Sequence, residues 1–332
     1  MKRALSVSLI ALVGLAACKQ SAPTPEPSKT PTPLPTETAR AAPAPAVAHP
    51  GSAAPAPAAD PWVTAPTKKD PLPHPLLWSI EKDGKTTYAL GTIHLGVDAE
   101  SRLPPIVWDK LDAAKAFAME TDLSDPALTK ILECNACSLR RDLGDAYWKK
   151  LEGVLTPPVA AKLDPMKPMV AATMMSMRGL PPTGQMDTLL LARAQNAKKQ
   201  IVFLETASAE AAVLEKWMDV KALKAMLDDV DGGEKHTREM LDAYLAGDEK
   251  VMIKLSDDEK ADSLKHGYTA AEFDQSMADM LYDRNASWIP AIEKMHAAGG
   301  GFIAVGAMHL VGPKSVLERL AKKGYKVSRV TP

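Results

Sequence analysis

A long segment dominated by proline and alanine limits which part of this chain can fold. From residue 19 to about residue 74 the sequence consists mainly of Pro, Ala, Thr and Ser, with alternating Ala-Pro runs at residues 42–46 and 53–57. Such a composition cannot bury a hydrophobic core. We therefore expect a disordered tether over residues 18–74, which leaves residues 75–332 for one sizeable α/β domain or two small ones.

The start of the chain has the pattern of an export signal. Two basic residues precede an apolar run that ends in Leu-Ala-Ala before Cys18. The run is too short to span a bilayer permanently, and the small residues before Cys18 suit a signal peptidase. We predict a signal peptide over residues 1–17 and a lipidated Cys18 that anchors the mature chain to a lipid bilayer. Because Lys19 and not an aspartate follows Cys18, we expect sorting to the outer membrane in a cell with two membranes, with the protein facing the periplasm or the exterior.

The charge of the mature chain argues against nucleic acid as a partner. Removal of residues 1–17 takes away two basic residues and no acidic residue, so 40 basic and 41 acidic residues become 38 and 41, a net charge of -3. A nucleic-acid-binding surface requires an excess of basic residues, which this near-neutral chain does not have. No later stretch of the sequence is long and apolar enough to cross a membrane.

Short apolar runs alternate with helical segments after residue 75. Two β-prone runs, at residues 76–80 and 86–90, flank Asp83 and Gly84, and Asp-Gly between such runs is a strong hairpin signal. Further apolar runs lie at residues 116–119, 201–204, 302–305 and 325–330. This alternation predicts an α/β fold with a central mixed sheet, flanking helices and a helical insertion between about residues 124 and 200.

Two helical segments carry a further expectation each. Residues 269–298 are predicted to form one long helix or two abutting helices, interrupted near Pro290 because proline removes a backbone donor. The insertion contains a group of methionines, which is either an adaptable helical core or a flexible groove for an apolar peptide. The group consists of Met166, Met169, Met174, Met175 and Met177.

Four of the apolar runs are followed by a side chain that binds metals well. These side chains are His94, Glu120, Glu205 and His309. In an open α/β sheet, binding sites gather at the carboxyl ends of strands, so we expect the four to converge. Imidazole with carboxylate suits a divalent ion such as Mn, Co, Zn or Fe, and vacant positions leave room for an activated water. Gly91 and Gly306, each three residues before a histidine, permit either a backbone turn or a close approach to substrate that a Cβ would obstruct.

Three further polar residues are candidates for the same site. Asp187 stands at the start of a leucine-rich helix, where it is either a partner of the helix dipole or an acid in the pocket. Arg284 and Asn285 lie inside the late helix, and they are either a substrate clamp or ligand orienter, or a solvated surface pair. The other histidines fit the site poorly, because they lie in or at the edge of the tether or in polar helical stretches. They are His49, His74, His236, His266 and His296.

The remaining cysteines, Cys134 and Cys137, are separated by two residues. An exported chain meets an oxidising compartment, which favours a structural disulfide between them. Half of a metal site and a redox pair are the alternatives. A redox pair is disfavoured because nothing nearby resembles a strand leading into a helix N-terminus, and no second cysteine pair completes a zinc site with four cysteines.

Several of these motifs together resemble those of the TraB/GumN family, and the likeness covers essentially residues 75–332. The motifs are Leu77-Trp78 before the hairpin, Gly91-Thr92-Ile93-His94, Gly184 with Asp187, Leu204-Glu205-Thr206, Asp283-Arg284-Asn285, and the segment from Gly306 to Gly312. The family is similar to the animal Tiki proteins, described as metal-dependent proteases with two Gly-x-x-His motifs and an essential glutamate. The resemblance implies a Tiki-like fold and assigns those roles to His94, His309 and Glu120. The segment with Cys134 and Cys137 departs from the family pattern.

The sequence leads to two functional hypotheses. In the first, the protein is a divalent-metal-dependent hydrolase that acts on a peptide or protein substrate. His94, His309 and Glu120 hold the metal in this hypothesis, and Glu205 or Asp187 handles the proton from bound water. In the alternative, the protein is a non-catalytic lipoprotein that binds a haem-like or peptide ligand, since related folds include haem-binding lipoproteins. The His-Glu-x-x-His helix of the better-known zinc peptidases is not present in the sequence.

Overall fold

The computed structural model describes residues 70–122, 125, 127–134 and 137–332. The predicted signal peptide, Cys18, His49 and nearly all of the predicted tether lie outside the described residues.

The first two strands form the predicted hairpin. Strand β1, Leu77–Lys82, pairs antiparallel with β2, Lys85–Thr92, across a two-residue loop. Asp83 and Gly84 in this loop have φ angles of 50° and 69°. Positive φ at both central residues is the conformation whose twist matches that of the flanking strands, which explains why Asp-Gly was an informative signal.

Six strands form one mixed sheet, as predicted. The other four strands are β3, Ala116–Met119; β4, Gln200–Phe203; β5, Phe302–Gly306; and β6, Lys326–Arg329. The order across the sheet is β4-β3-β5-β2-β1-β6, in which β4, β3, β5 and β2 run parallel and β1 is antiparallel to both of its neighbours. The carboxyl ends of four strands therefore lie side by side at one edge of the sheet.

Helices connect the strands, and six of them, α3 to α8, make up the predicted insertion. In chain order the helices are α1 Ala99–Arg102, α2 Pro105–Ala113, α3 Ala127–Leu132, α4 Leu139–Leu143, α5 Asp145–Leu155, α6 Pro157–Leu163, α7 Pro168–Ser176, α8 Met186–Asn196, α9 Ala207–Trp217, α10 Val220–Asp228, α11 Val230–Ala246, α12 Glu249–Lys265, α13 Ala270–Met277, α14 Asp283–Ala297 and α15 Val316–Lys322. In the part of the chain from residue 70 that the structure describes, no helix combines the length and the apolar character that a bilayer span requires.

The buried apolar side chains form two clusters. The first surrounds the sheet and includes residues of α2, α8, α11 and α14. The second lies among the insertion helices together with α9, α10 and α13, and it contains the buried side chains of Met169 and Met175. Met177 and Met308 pack against both clusters. The insertion is thus joined to the sheet by apolar contacts near the carboxyl ends of the parallel strands.

The predicted interruption of the late helix near Pro290 is wrong. Pro290 lies inside α14 and does not end it, since Trp288 and Ile289 beside it are buried in the first cluster and hold the helix in place. The interruption lies earlier, where a π-helical turn, Ala278–Tyr282, separates α13 from α14. Such turns are frequent at functional sites, and this one directly precedes the Asp-Arg-Asn motif.

Cys134 and Cys137 lie in the insertion, between α3 and α4. Their Sγ atoms are joined in a disulfide that closes a very short loop. The Cys134 N–H donates a hydrogen bond to the Pro165 carbonyl, 3.1 Å away, which ties this loop to the segment before α7.

Candidate metal centre

The four predicted strand-end side chains lie at one edge of the sheet. His94 follows β2, Glu120 directly follows β3, Glu205 follows β4, and His309 closes a short 3₁₀ turn after β5. Because the order of the parallel strands is β4-β3-β5-β2, Glu120 and His309 take the central positions. Parallel strands bring residues together in this way even when they are far apart in sequence.

Three of these side chains converge around Gly306. A Cβ at Gly306 would lie 3.3 Å from Glu120 Oε1 and 3.9 Å from His94 Nε2, with His309 Cδ2 at 3.6 Å. The Gly306 N–H donates a hydrogen bond of 2.7 Å to Glu120 Oε1, and that oxygen is 3.9 Å from His309 Nε2. A larger residue at Gly306 would fill the space that the two imidazoles and the carboxylate share.

Gly91 has a different reason to lack a side chain. A Cβ at this position would lie 3.0 Å from the Cα of Ala307, which is tighter than ordinary contact. The glycine therefore lets the end of β2 approach the turn that carries His309. The two motif glycines serve the same site, Gly91 by backbone approach and Gly306 by leaving space.

Asp187 orients the His94 ring through a hydrogen bond at its Nδ1 atom. The distance between His94 Nδ1 and Asp187 Oδ2 is 2.6 Å, and the Thr92 hydroxyl donates to the other carboxylate oxygen at 2.7 Å. Asp187 stands in the first turn of α8 and is also part of the site, so both interpretations of this residue describe it. With Nδ1 engaged, the Nε2 atom of His94 is the one that faces Gly306.

Asn285 holds the His309 ring in the same manner. Its Oδ1 atom lies 2.7 Å from His309 Nδ1, and its Nδ2 atom donates to the Lys314 carbonyl at 3.2 Å. The second hydrogen bond identifies the amide nitrogen, so the atom that faces His309 is the oxygen. An amide oxygen only accepts, so His309 Nδ1 carries the proton. His309 Nε2 then presents a buried lone pair beside Glu120, and it has no hydrogen-bond partner in the part of the chain that the structure describes.

Arg284 lies behind Glu120 and binds the carboxylates of the site. Its Nη2 atom donates to Glu120 Oε2 at 2.9 Å, and its Nε atom donates to both oxygens of Glu205 at 3.0 and 3.1 Å. Its Nη1 atom donates to the Met280 carbonyl of the π-helical turn. The solvated surface pair considered for Arg284 and Asn285 is wrong, because their residues are only 5% and 0% exposed.

The sequence of this chain matches one family of known proteins. The model of the TraB/PrgY/gumN family matches residues 76–329, which contain every residue of the site described above. The chain belongs to this family. Searches of curated proteins and of solved structures found no match.

One further carboxylate of this TraB/PrgY/gumN site was missed by the sequence analysis. Glu210 lies on the buried face of α9, and its Oε1 atom is 3.4 Å from Arg284 Nη2. A signal was present in the sequence, because Glu210 shares its helix face with Ala207, Ala211 and Leu214. An acid at that spacing among small apolar residues is directed toward the interior.

The carboxylates of Glu120, Glu205 and Glu210 also form a group that could bind a metal, with one oxygen of each within 4.8 Å of the others. Arg284 Nη2, however, contacts all three carboxylates, so a positive charge already lies among them. Glu120 therefore has two distinct sides. Its Oε2 atom faces Arg284, and its Oε1 atom faces the histidines.

Burial and neighbouring charges set the protonation of the site. Burial lowers the pKa of His309 to about 3, so this ring is neutral. Burial also acts to lower the pKa of His94, but the Asp187 carboxylate outweighs it and raises that pKa to about 9. Burial opposes ionisation of Glu120, whereas the charges of Arg284 and His94 and the hydrogen bond from the Gly306 N–H favour the carboxylate and lower its pKa. A cation that binds here must displace the proton of His94, so its affinity falls as the pH decreases.

The other two carboxylates differ from Glu120 in protonation. Burial is the largest influence on Glu210 and raises its pKa to about 8, because Arg284 compensates only partly while Glu120 and Glu205 add to the increase. Burial likewise raises the pKa of Glu205, against the hydrogen bonds from Arg284. Glu210 is thus a neutral acid at pH 7, which reduces the repulsion among the three side chains.

The donor set fits a divalent metal on the histidine side of Glu120. A metal about 2.1 Å from each ligand atom requires those atoms to be about 3 to 4 Å apart, and the 3.9 Å between His309 Nε2 and Glu120 Oε1 lies within this range. The unpartnered Nε2 of His309 offers a lone pair that nothing else in the described part of the chain uses. Metal-binding histidines commonly donate their other ring N–H to a carboxylate or carbonyl oxygen, as both rings do here.

Three of the remaining histidines, His236, His296 and His266, have contacts outside the candidate site. His236 lies 2.8 Å from Glu259, and both side chains are buried between α11 and α12. His296 is buried as well, with one ring nitrogen 2.9 Å from the Thr87 hydroxyl and the other 3.0 Å from the Lys82 carbonyl. His266 contacts the Asp262 carbonyl of its own helix.

Proposed function

We propose that this protein is a divalent-metal-dependent hydrolase with a peptidase-like site. The observation that carries the proposal is the convergence of His94 Nε2, His309 Nε2 and Glu120 Oε1 around Gly306. Each ring is held at its Nδ1 atom by an acceptor that has a second hydrogen bond of its own. The buried Nε2 atom of His309 has no hydrogen-bond partner among the described residues, so its lone pair is available to a metal.

In this proposal His94, His309 and Glu120 are the metal ligands, and the metal is Mn, Co, Zn or Fe. A bound metal of this kind would polarise a carbonyl group and supply a nucleophilic water at neutral pH. Asp187 and Asn285 orient the two rings and select the nitrogen that each presents. Arg284 holds Glu120 through Oε2 and so keeps Oε1 directed toward the histidines.

Glu205 is the proposed acceptor of the proton from the attacking water. Asp187 is unsuited to this role, because it binds the Nδ1 atom of His94 and so lies on the side of the ring away from Nε2, the proposed ligand atom. The Glu205 side chain is the most exposed of the three carboxylates that Arg284 contacts. Burial moves its pKa upward, toward the range in which a carboxylate serves as a general base near neutral pH.

The test of the proposed function combines elemental analysis with peptide digestion. The full chain is purified in detergent, its metal content is measured, and a peptide library is incubated with it before and after chelation. We expect about one divalent metal per chain and cleavage that stops on chelation and returns with added metal. Bound metal without cleavage of any peptide would instead support the non-catalytic binding function, with peptide or haem-like ligands tested next.

We further propose that the chain is a lipoprotein of the cell envelope, anchored through Cys18. The support is the apolar run and the small residues before Cys18 together with the proline-rich segment after it. Cys18→Ala is expected to leave the chain uncleaved or to release it into the soluble fraction, as fractionation and mass spectrometry of the N-terminus will show. Cys134→Ser is the matched control and should remain with the membrane. A Cys18→Ala protein that is still membrane-bound after signal removal would contradict the anchor.

The residues behind the histidines provide a prediction for the metal affinity. Asp187→Asn and Asn285→Leu are each expected to weaken metal binding about 10- to 100-fold, because each variant leaves its histidine ring less firmly oriented. Thr188→Ala is the matched control on the exposed face of the same helix as Asp187. Metal titrations of the folded variants, with a competing chelator, measure the change. Unchanged affinity in both variants would show that ring orientation does not matter for binding.

A further inference from the structure

A cavity opens directly beside the proposed metal ligands. His94 and Gly306 form part of its wall together with their chain neighbours, and the rest is contributed by α11, α12 and the segment before α8. Its volume, measured as the space open to the centre of a water molecule, is about 40 Å³. Most of the side chains that line it away from His94 are apolar, among them Leu180, Met240, Met252 and Met308.

The polar side chains in the wall of this cavity are already engaged within the protein. The Tyr244 hydroxyl donates to the Gly91 carbonyl at 3.0 Å. The Thr237 hydroxyl donates to the Ser176 carbonyl at 3.3 Å. The third, Thr92, is bound to Asp187 as described above. The hydrogen of each hydroxyl is therefore already used. A carboxylate that entered the cavity would lose its water without gaining a donor from these side chains, whereas an apolar group would lose nothing of this kind.

We propose that this cavity is a specificity pocket that receives an apolar side chain of the substrate next to the bond that is cleaved. The inference rests on the proposed hydrolase function and names the substrate class, peptides with an aliphatic residue such as leucine or methionine at that position. The continuity of the cavity with His94 and Gly306 places the bound side chain beside the reacting group. The three methionines in its wall have flexible side chains that adapt to the shape of an aliphatic guest.

The first experiment measures cleavage of peptides that differ at a single position. Peptides with leucine or methionine there are expected to be cleaved about 10- to 200-fold faster than those with glycine or aspartate, the range that an apolar pocket can provide. Leu180→Phe, which fills the pocket, should abolish this preference. Leu264→Ala changes an exposed leucine instead and should keep the preference of the wild type. Cleavage without any preference for an aliphatic residue would overturn the inference and leave the hydrolase function intact.

The second experiment does not require hydrolysis. Binding of N-acetyl-leucine amide, N-acetyl-glycine amide and N-acetyl-aspartate amide to the full chain is measured by calorimetry. We expect the leucine compound to bind the wild type at least about tenfold more tightly than the other two. The difference should be lost in Leu180→Phe, or in Met252→Phe if the first variant does not fold.

The two experiments together separate the possible failures. Selective leucine binding without peptide cleavage would retain the pocket and reject the hydrolase. Equal affinity for the three amides, or no binding of any of them, would reject the pocket even if peptides were cleaved. Selective binding that persists in a correctly folded Leu180→Phe protein would also reject it, since the leucine group must then bind elsewhere.

Discussion

Replacement of His94 by alanine is expected to remove bound metal and hydrolysis together while leaving the fold largely intact. The ring is hydrogen-bonded through Nδ1 to Asp187, and its Nε2 atom is one of the three proposed ligand atoms around Gly306. Loss of one ligand should weaken metal binding by more than about 100-fold. Loss of a residue that only hydrogen-bonds to a ligand already lowers the metal affinity about 10- to 100-fold. Elemental analysis after dialysis, with circular dichroism to check folding, measures both effects.

His309 requires a different substitution for the same test. Unlike a residue that faces an open cleft, it is buried, and its ring packs 4.4 Å from the ring of Trp288. His309→Ala would therefore leave a cavity and destabilise the protein for reasons unrelated to metal. His309→Leu keeps most of the volume and removes the Nε2 donor, so it should reproduce the loss seen in His94→Ala with a smaller effect on stability.

Two further variants complete this test. Glu120→Gln should lose metal, because the amide cannot supply the negative charge of the ligand oxygen. His266→Ala is the control and should behave like the wild type. The His266 ring contacts the Asp262 carbonyl of its own helix. Full metal content in both His94→Ala and His309→Leu would exclude a metal site on the histidine side of Glu120. The metal would then have to bind near Glu205 and Glu210.

The sheet and the grouping of four site residues could be predicted because their signals are local. The apolar runs are short and bounded by turn residues, and four of them are followed by a histidine or a glutamate. Parallel strands then bring His94, Glu120 and His309 to one edge without any detailed knowledge of the packing. The Asp83-Gly84 turn was equally accessible, since its two positive φ angles are what that pair favours.

The rest of the site depends on contacts that no local pattern contains. That Arg284 neutralises buried carboxylates follows from the path of α9 and α14 past the sheet, and the sequence alone left a solvated surface pair open. Asn285 binds His309 because the π-helical turn sets the direction of the helix that follows it. The effect of Pro290 was misjudged for a similar reason, because tertiary burial of α14 outweighs the loss of one backbone hydrogen bond.

Arg284→Met is expected to cause the largest loss of stability of any single substitution at the site. In the wild type the guanidinium contacts Glu120, Glu205 and Glu210, and all four side chains are largely buried. Removal of one partner from a buried ion pair costs about 3 to 5 kcal/mol, because the remaining charge is left without compensation. Chemical denaturation of the metal-free protein at pH 7 measures this loss.

The pH dependence of the loss provides a direct check on its cause. Without the cation, burial and mutual repulsion raise the pKa of the carboxylates in the folded variant above their unfolded values of about 4.3. Carboxyl groups with such a raised pKa cost no stability below the unfolded pKa, where they are protonated in both states. As the pH increases above that value, they lower the free energy of unfolding. Arg284→Met should therefore be closest to the wild type near pH 4 and increasingly destabilised toward pH 8.

Two companion variants show whether charge or packing is responsible. Glu210→Gln, added to Arg284→Met, should recover part of the stability at pH 8, since one buried acid is replaced by a neutral side chain of the same size. Arg284→Lys keeps the charge but cannot reproduce the planar fork that binds Glu120 and Glu205 at once, so its stability should lie between the wild type and Arg284→Met. An Arg284→Met protein with the same deficit at pH 4 and pH 8 would show that the guanidinium acts by packing, and the charge network would then have no role in holding Glu120 toward the histidines.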